Sequence, residues 1–208
     1  MLSSPENIQT TEEWIAQLSE ATGKSFEIVG DILLRTMRTF YKEIGETYLL
    51  ADQLVAVISS TNTSILGLGE SLAFVGPIAA LMNQPLDDVL ILLGLLGDAG
   101  IEGSMAGIGL MAVLNRLQVT SAAAEPESIK RTFDIVSASA KNSDGSMRSV
   151  LEILPELRGS IGKLWQAEQG ILMEALFGVE GAPVFQALFN TTPEHVAIVT
   201  SRVKSAGR

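Results

Sequence analysis

Gly94-Leu-Leu-Gly-Asp-Ala-Gly-Ile-Glu-Gly-Ser-Met-Ala-Gly107 decides how this chain folds: five glycines in fourteen residues, set between two aliphatic runs. Glycine at this density marks sharp turns or close backbone packing. With such flanks it reads as a helix–turn–helix joint. Gly100 is placed to cap the incoming helix in a left-handed conformation, and Ser104 to open the outgoing one. Gly103 and Gly107 are four residues apart, and with Ala99 they would let two helices approach closely. Asp98 and Glu102 share a face only if the helix runs unbroken through Gly100, so they read as caps and solvated charges, not an acid–base pair.

Composition agrees with helices. Of the 208 residues 47% are hydrophobic but only 5% aromatic, so the apolar content is Ala, Leu, Ile, Val and Met, the palette of helix packing. The chain has no cysteine, which excludes disulfides and thiolate metal sites, and its one histidine, His195, excludes multi-histidine sites. A net charge of −10 argues against a nucleic-acid grip, which needs clustered Lys and Arg. The first residues lack the basic start and apolar run of a secretory signal. Mean hydropathy of +0.31 and the nine-residue run Val89-Leu-Ile-Leu-Leu-Gly-Leu-Leu-Gly97 raise the question of a membrane. A span needs about twenty residues, and Asp87, Asp88, Asp98 and Glu102 bound the run on both sides. A buried core helix is the better reading.

The helical period recurs almost throughout. Thr10-Thr-Glu-Glu13 has capping-box spacing and predicts a first helix starting there and ending at Gly23. A second begins near Ser25, its stripe Phe26, Val29, Leu33, Met37, Phe40 and Ile44 running on to a stop at Gly45. A third covers 47–59. The polar run Ser59-Ser-Thr-Asn-Thr-Ser64 interrupts, and a fourth helix starts at Ser64 with a kink or break at Gly76-Pro77. Pro85 suits the first turn of a fifth helix, where Asp87 and Asp88 complement the dipole. A sixth covers 104–117. Residues 119–126 read as a small-residue linker and 126–140 as a seventh helix. After a turn at Lys141-Asn-Ser-Asp-Gly145, Met147, Leu151 and Leu154 mark another helix, with a break at Pro155. Residues 161–177 read as a long helix closed by Gly178, and 183–189 as a short apolar element. Thr192-Pro-Glu opens the last helix. No strand signal of useful length is present. The expectation is an all-α, multi-helix globular bundle of roughly eight to eleven short helices. It divides into an N-terminal part (1–118) and a C-terminal part (119–208) packed on it.

Chemistry finds little foothold. Asn142-Ser-Asp-Gly145 resembles a calcium loop only until the register puts Ala140 and Leu151 where essential carboxylates belong. Gly67-Leu-Gly69 has neither the preceding strand nor the third glycine of a dinucleotide fingerprint. His195, in a first helical turn without a second histidine, reads as a surface residue. The glycosylation patterns at Asn62 and Asn190 mean little without a secretory signal. No catalytic, cofactor or metal residue is expected, and the chain reads as a non-enzyme.

Several motifs do resemble a known family, in order along the chain. Leu50-Ala-Asp-Gln-Leu and Ser60-Thr-Asn-Thr-Ser64 are followed by Gly69-Glu-Ser-Leu and Phe74-Val-Gly-Pro-Ile-Ala79. Asn83-Gln-Pro-Leu-Asp-Asp and the glycine joint follow, then Asp144-Gly-Ser-Met-Arg148 and Phe177-Gly-Val-Glu-Gly181. Together they are similar to the core region of phage tail tape measure proteins, over about residues 50–190. The motif positions are Asn62, Thr63, Ser64, Gly76, Pro77, Gly100, Ile101, Gly103, Ser104, Ala106, Gly107, Asp144, Gly145, Phe177 and Gly178. The resemblance implies a virion structural protein inside the tail tube, made in the host cytoplasm, that sets tail length and leaves ahead of DNA. It implies partners too: copies of itself, tail tube proteins, tail assembly chaperones, and tail tip or baseplate proteins. Direct nucleic-acid binding is not expected, and membrane contact would come only during infection. The aliphatic stretch 89–114 carries an alternative, a membrane-active segment that perforates the host envelope.

Overall fold

The computed structural model describes residues 5–118, 140–162 and 166–207. Nine α-helices occupy them: α1 (Pro5–Thr22), α2 (Phe26–Thr39), α3 (Thr47–Ser60), α4 (Ile65–Leu81), α5 (Leu86–Asp98), α6 (Gly103–Gln118), α7 (Val150–Ile161), α8 (Gln166–Asn190) and α9 (Pro193–Lys204). A 3-10 turn at Ile44–Glu46 leads into α3. Among the described residues β-structure amounts to one bridge, Lys141 to Met147. The chain is all-α, as its composition predicts.

Helix α5 is the axis. It touches α3, α4, α6, α7, α8 and α9, and 11 of its 13 residues are buried. A helix apolar on every side has to lie inside the bundle. Leu90, Ile91, Leu92, Leu93, Leu95 and Leu96 are each at most 2% exposed, and each contributes about 1.5–3 kcal/mol relative to staying in water. At about 20 Å, α5 is too short for a hydrocarbon core of about 30 Å. The aliphatic run is the protein's core. Among the described residues, the 169–190 part of α8 is long and apolar enough to cross a bilayer. Here, however, Phe177, Phe185 and Leu188 are buried in the bundle.

Several boundaries differ from the sequence expectation. Helix α1 starts at Pro5, so Thr10-Thr-Glu-Glu13 lies inside it; a proline at the first helical position is as good a start signal as a capping box. Helix α2 ends at Thr39, short of Gly45. Tyr41 takes a left-handed φ of 54°, and the amides of Tyr41 and Lys42 reach back to Arg38 and Met37. That is a Schellman closure without glycine, and it turns Ile44 out of the stripe. Helix α4 runs through Pro77 unbroken. Pro77 and Ala73 are both exposed, so the Ala73 carbonyl that loses its partner faces water.

Met147 precedes α7, which Ser149 caps, and α7 continues through Pro155 and ends at Ile161, where a new helix was expected to begin. Gly178 does break the chain, at φ 73° and ψ 178°. The expected element at 183–189 is the middle of the segment that follows it. The linker and helix expected over 119–140 lie, up to residue 139, outside the described residues.

Candidate functional site

The glycine joint is built as its sequence suggests, and it does not stand alone. At the end of α5 the Ile101 amide donates to Leu96 O (2.9 Å) and the Gly100 amide to Gly97 O (3.0 Å). With Gly100 at φ 76° this is a Schellman motif. Ile101 packs against the core. Gly103, one residue before the expected Ser104, begins α6.

The joint is held against the loop between α3 and α4. Asp98 Oδ1 accepts from the Asn62 amide (2.7 Å) and from Asn62 Nδ2 (2.9 Å). Thr63 lies against Gly97, and Ser64 caps α4 by accepting from the Gly67 amide at 3.0 Å. The buried Ser71 hydroxyl lies 2.8 Å from the carbonyls of both Gly67 and Gly103. Its single proton can serve only one of them at a time. Three residues on, Ala106 is 1% exposed, and Gly107 meets the backbone of α4 directly. A Cβ there would lie 2.5 Å from Ser71 O.

Asp98 also reaches the last helix. His195 Nε2 is 2.7 Å from Asp98 Oδ2, with the two side chains 38% and 18% exposed. A carboxylate oxygen only accepts, so Nε2 carries the proton. The expectation of a plain surface histidine misses this contact. At the other end of α5, Asp88 is 1% exposed and accepts from the Ser149 hydroxyl. Lys204 Nζ stands 2.8 Å from Asp88 Oδ1 and 3.7 Å from Asp87. That approach is a close ion pair. Asp88 raises the Lys204 pKa above the usual lysine value, with burial opposing.

Beside it the buried Gln84 donates from Nε2 to Arg148 O (3.1 Å) and accepts at Oε1 from the Val150 amide (3.0 Å). Helix α9 therefore lies antiparallel along α5, clipped by His195 at one end and Lys204 at the other. Val199 and Val203 are fully buried along it.

The remaining motif residues lie elsewhere. Gly76 packs against Thr39 of α2 and Pro77 faces outward. Asp144 accepts from the Ser146 hydroxyl (2.7 Å) and amide (2.9 Å) in an exposed turn that Gly145 completes at φ 84°. Those bonds lower the Asp144 pKa. Phe177 is buried and stacks on Phe185 with centroids 4.2 Å apart. Asn62, Thr63, Ser64, Gly100, Ile101, Gly103, Ser104, Ala106 and Gly107 thus form one joint. Gly76 and Pro77, Asp144 and Gly145, and Phe177 and Gly178 are three separate features. Among the described residues no group of three or more His, Asp or Glu is placed to hold a metal.

The polar atoms at these points are occupied in fastening one backbone to another. Among the described residues these contacts tie helix to helix. In comparison with known proteins, residues 2–178 match the family of phage-related minor tail proteins, and the chain belongs to that family. It is 23% identical over 187 residues to the tape measure protein of Pneumococcus phage Dp-1, covering 90% of this chain and 16% of that protein. It is 27% identical over 177 residues to the probable tape measure protein of Escherichia phage P2, covering 84% of this chain and 21% of that one. The chain thus spans about a fifth or less of the length of these relatives. No solved structure matches.

Proposed function

We propose that this chain is a structural, non-enzymatic module of a phage or prophage tail tape measure protein, serving tail assembly, tail-length determination and DNA ejection. The family match over residues 2–178 carries the reading. Supporting it, Asp88 and Asp98 at the two ends of α5 are engaged in clipping α9 to α5. The module resides in the tail interior after assembly in the host cytoplasm. Its partners are copies of itself, tail tube proteins, tail assembly chaperones and tip or baseplate proteins. Leu81, Ile171 and Val179, at 74%, 67% and 76% exposure, are apolar contact points for them.

Within a tape measure protein this module is a compact folded domain and not the ruler. An unbroken helix of 208 residues would reach about 310 Å. A compact chain of this length has a radius of gyration of about 17 Å. Its longest helix, 25 residues interrupted at Gly178, covers only about 37 Å. In-frame removal of the module from the tail that carries it should abolish tails and leave none of reduced length. Viable tails shortened by about 310 Å would show that the chain is extended in place and would overturn the compact-domain reading. Absence of the polypeptide from purified tails would overturn the assignment itself.

A further inference from the structure

Helices α2 and α4 run side by side in the same direction. Ile32 packs onto Gly69 and Thr39 onto Gly76, where added Cβ atoms would lie 2.7 and 3.1 Å from those side chains. Both pairs advance by seven residues, the repeat of a coiled-coil seam. On its outer side this seam leaves an open groove of about 760 Å³, floored and walled by Ile28, Ile32, Phe40, Leu66, Leu72 and Pro77. Ile28 and Leu66 are 44% and 43% exposed. The 14 residues of α2 give the groove room for about four helical turns.

Its rim is acidic. Glu27, Asp31 and Glu70 line it, and among the described residues the one lining cation, Arg35, is held by Asp31 at 2.6 Å. A two-helix seam in heptad register, open on one side, has the shape that accepts a third helix by its apolar stripe. The surplus of carboxylates sets the flanks of that stripe.

We infer that the α2–α4 groove docks an amphipathic helix of another polypeptide, with an apolar stripe flanked by Lys or Arg. A second copy of this chain is the poorer occupant, because each copy carries a net charge of −10 and would bring like charge to an acidic rim. The inference rests on the groove and its charge and stands independently of the tail assignment.

Fluorescence anisotropy with the full chain tests it. The probe is a labelled helical peptide of about 14 residues, with Leu at i, i+3, i+4 and i+7 and Lys alongside. The controls are the same peptide with Glu for Lys and a scramble of unchanged charge. The Lys peptide should bind saturably, at least about tenfold tighter than either control, and more weakly as salt rises. Ile28→Ser with Leu66→Ser should cut that affinity about tenfold or more while the unfolding midpoint stays put. Glu27→Gln with Glu70→Gln should weaken it and flatten its salt dependence. Equal binding of the scramble, or affinity unmoved by both pairs of substitutions, would overturn the inference. So would dimerisation of the wild-type chain in sedimentation that the Ile28/Leu66 pair abolishes, since the occupant would then be a second copy.

Discussion

Gly107→Ala tests whether the joint is a close-packing device. A Cβ at that position would lie 2.5 Å from Ser71 O, 2.9 Å from Ser71 Cα and 3.0 Å from Phe74 Cβ. Two of these partners are main-chain atoms of α4, which cannot swing aside as a side chain would. Helix α4 must instead retreat by about 1 Å to recover ordinary contact, and the Ser71–Gly103 hydrogen bond lies in the same seam. Overpacking of this kind costs about 1–3 kcal/mol, and the main-chain contact puts it at the upper end. Replacing glycine by alanine inside a helix returns about 1 kcal/mol. The net loss is about 2 kcal/mol, or about 4–8 °C in Tm for a domain of this size.

Gly159→Ala is the matched control. It lies exposed in α7 with nothing within 4 Å of its would-be Cβ, so it should gain about 0.5–1 kcal/mol. Urea unfolding followed by circular dichroism, with m-values compared, reads both. A Gly107→Ala midpoint equal to or above wild type, with Gly159→Ala behaving as expected, would refute the close-packing argument.

Other expectations follow from the clips on α5. The raised Lys204 pKa means its stabilisation is fully present below the ordinary lysine value of about 10.4 and fades as pH rises through the folded value. Lys204→Met should therefore cost about 1–2 kcal/mol at neutral pH, discounted for a half-exposed lysine, and urea midpoints should show that deficit shrinking in strong alkali. Asp98→Ala orphans both Asn62 and His195 and should cost about 1–2 kcal/mol; a double-mutant cycle with His195→Ala should return a coupling of about 0.5–1 kcal/mol. Gly178 at φ 73° and ψ 178° sits where only glycine is at ease, so Gly178→Ala should lower the thermal midpoint by an amount equivalent to about 1–3 kcal/mol.

The helices were legible where the signal is local. Gly100, Gly23 and Gly178 announce positive φ by being glycine, and Thr192-Pro193 announces a start by pairing a cap with a first-turn proline. Tyr41 and Asn83 close α2 and α4 with the same left-handed geometry, yet no glycine marks them, and the α2 stripe reads on to Gly45 as a result. Pro77 reads as a break because the sequence does not say that it and Ala73 face water, where a freed carbonyl costs little; Pro155, itself exposed, likewise sits inside α7 without ending it. The clips were illegible for another reason. Asp88 lies in a first turn, where an acidic residue is already accounted for by the helix dipole. Nothing local tells that residue 88 is buried or that Lys204 comes to meet it. Asp98 and His195 are likewise joined only once α9 is laid back along α5.

That placement bears on how such a module can serve in a tail. Under the proposed role, a folded module has to keep its shape under mechanical load. Apolar burial around α5 supplies most of the stability, but burial has no direction, and helices can slide along a purely aliphatic core. The polar clips remove that freedom. His195 and Lys204 sit nine residues apart on α9, and Asp98 and Asp88 ten apart on α5, so the two spacings match at about 14–15 Å of helix rise. A shift of α9 by one turn, about 5.4 Å, would take the cationic or N–H partner from both carboxylates at once, leaving Asp88 with Ser149 and Asp98 with Asn62. Losing the Lys204 partner alone costs about 1–2 kcal/mol, and a sliding contact between valines recovers none of it. The glycine seams hold helices close and the carboxylate clips hold them in register. Surfaces such as the α2–α4 groove are left to make contacts with other molecules.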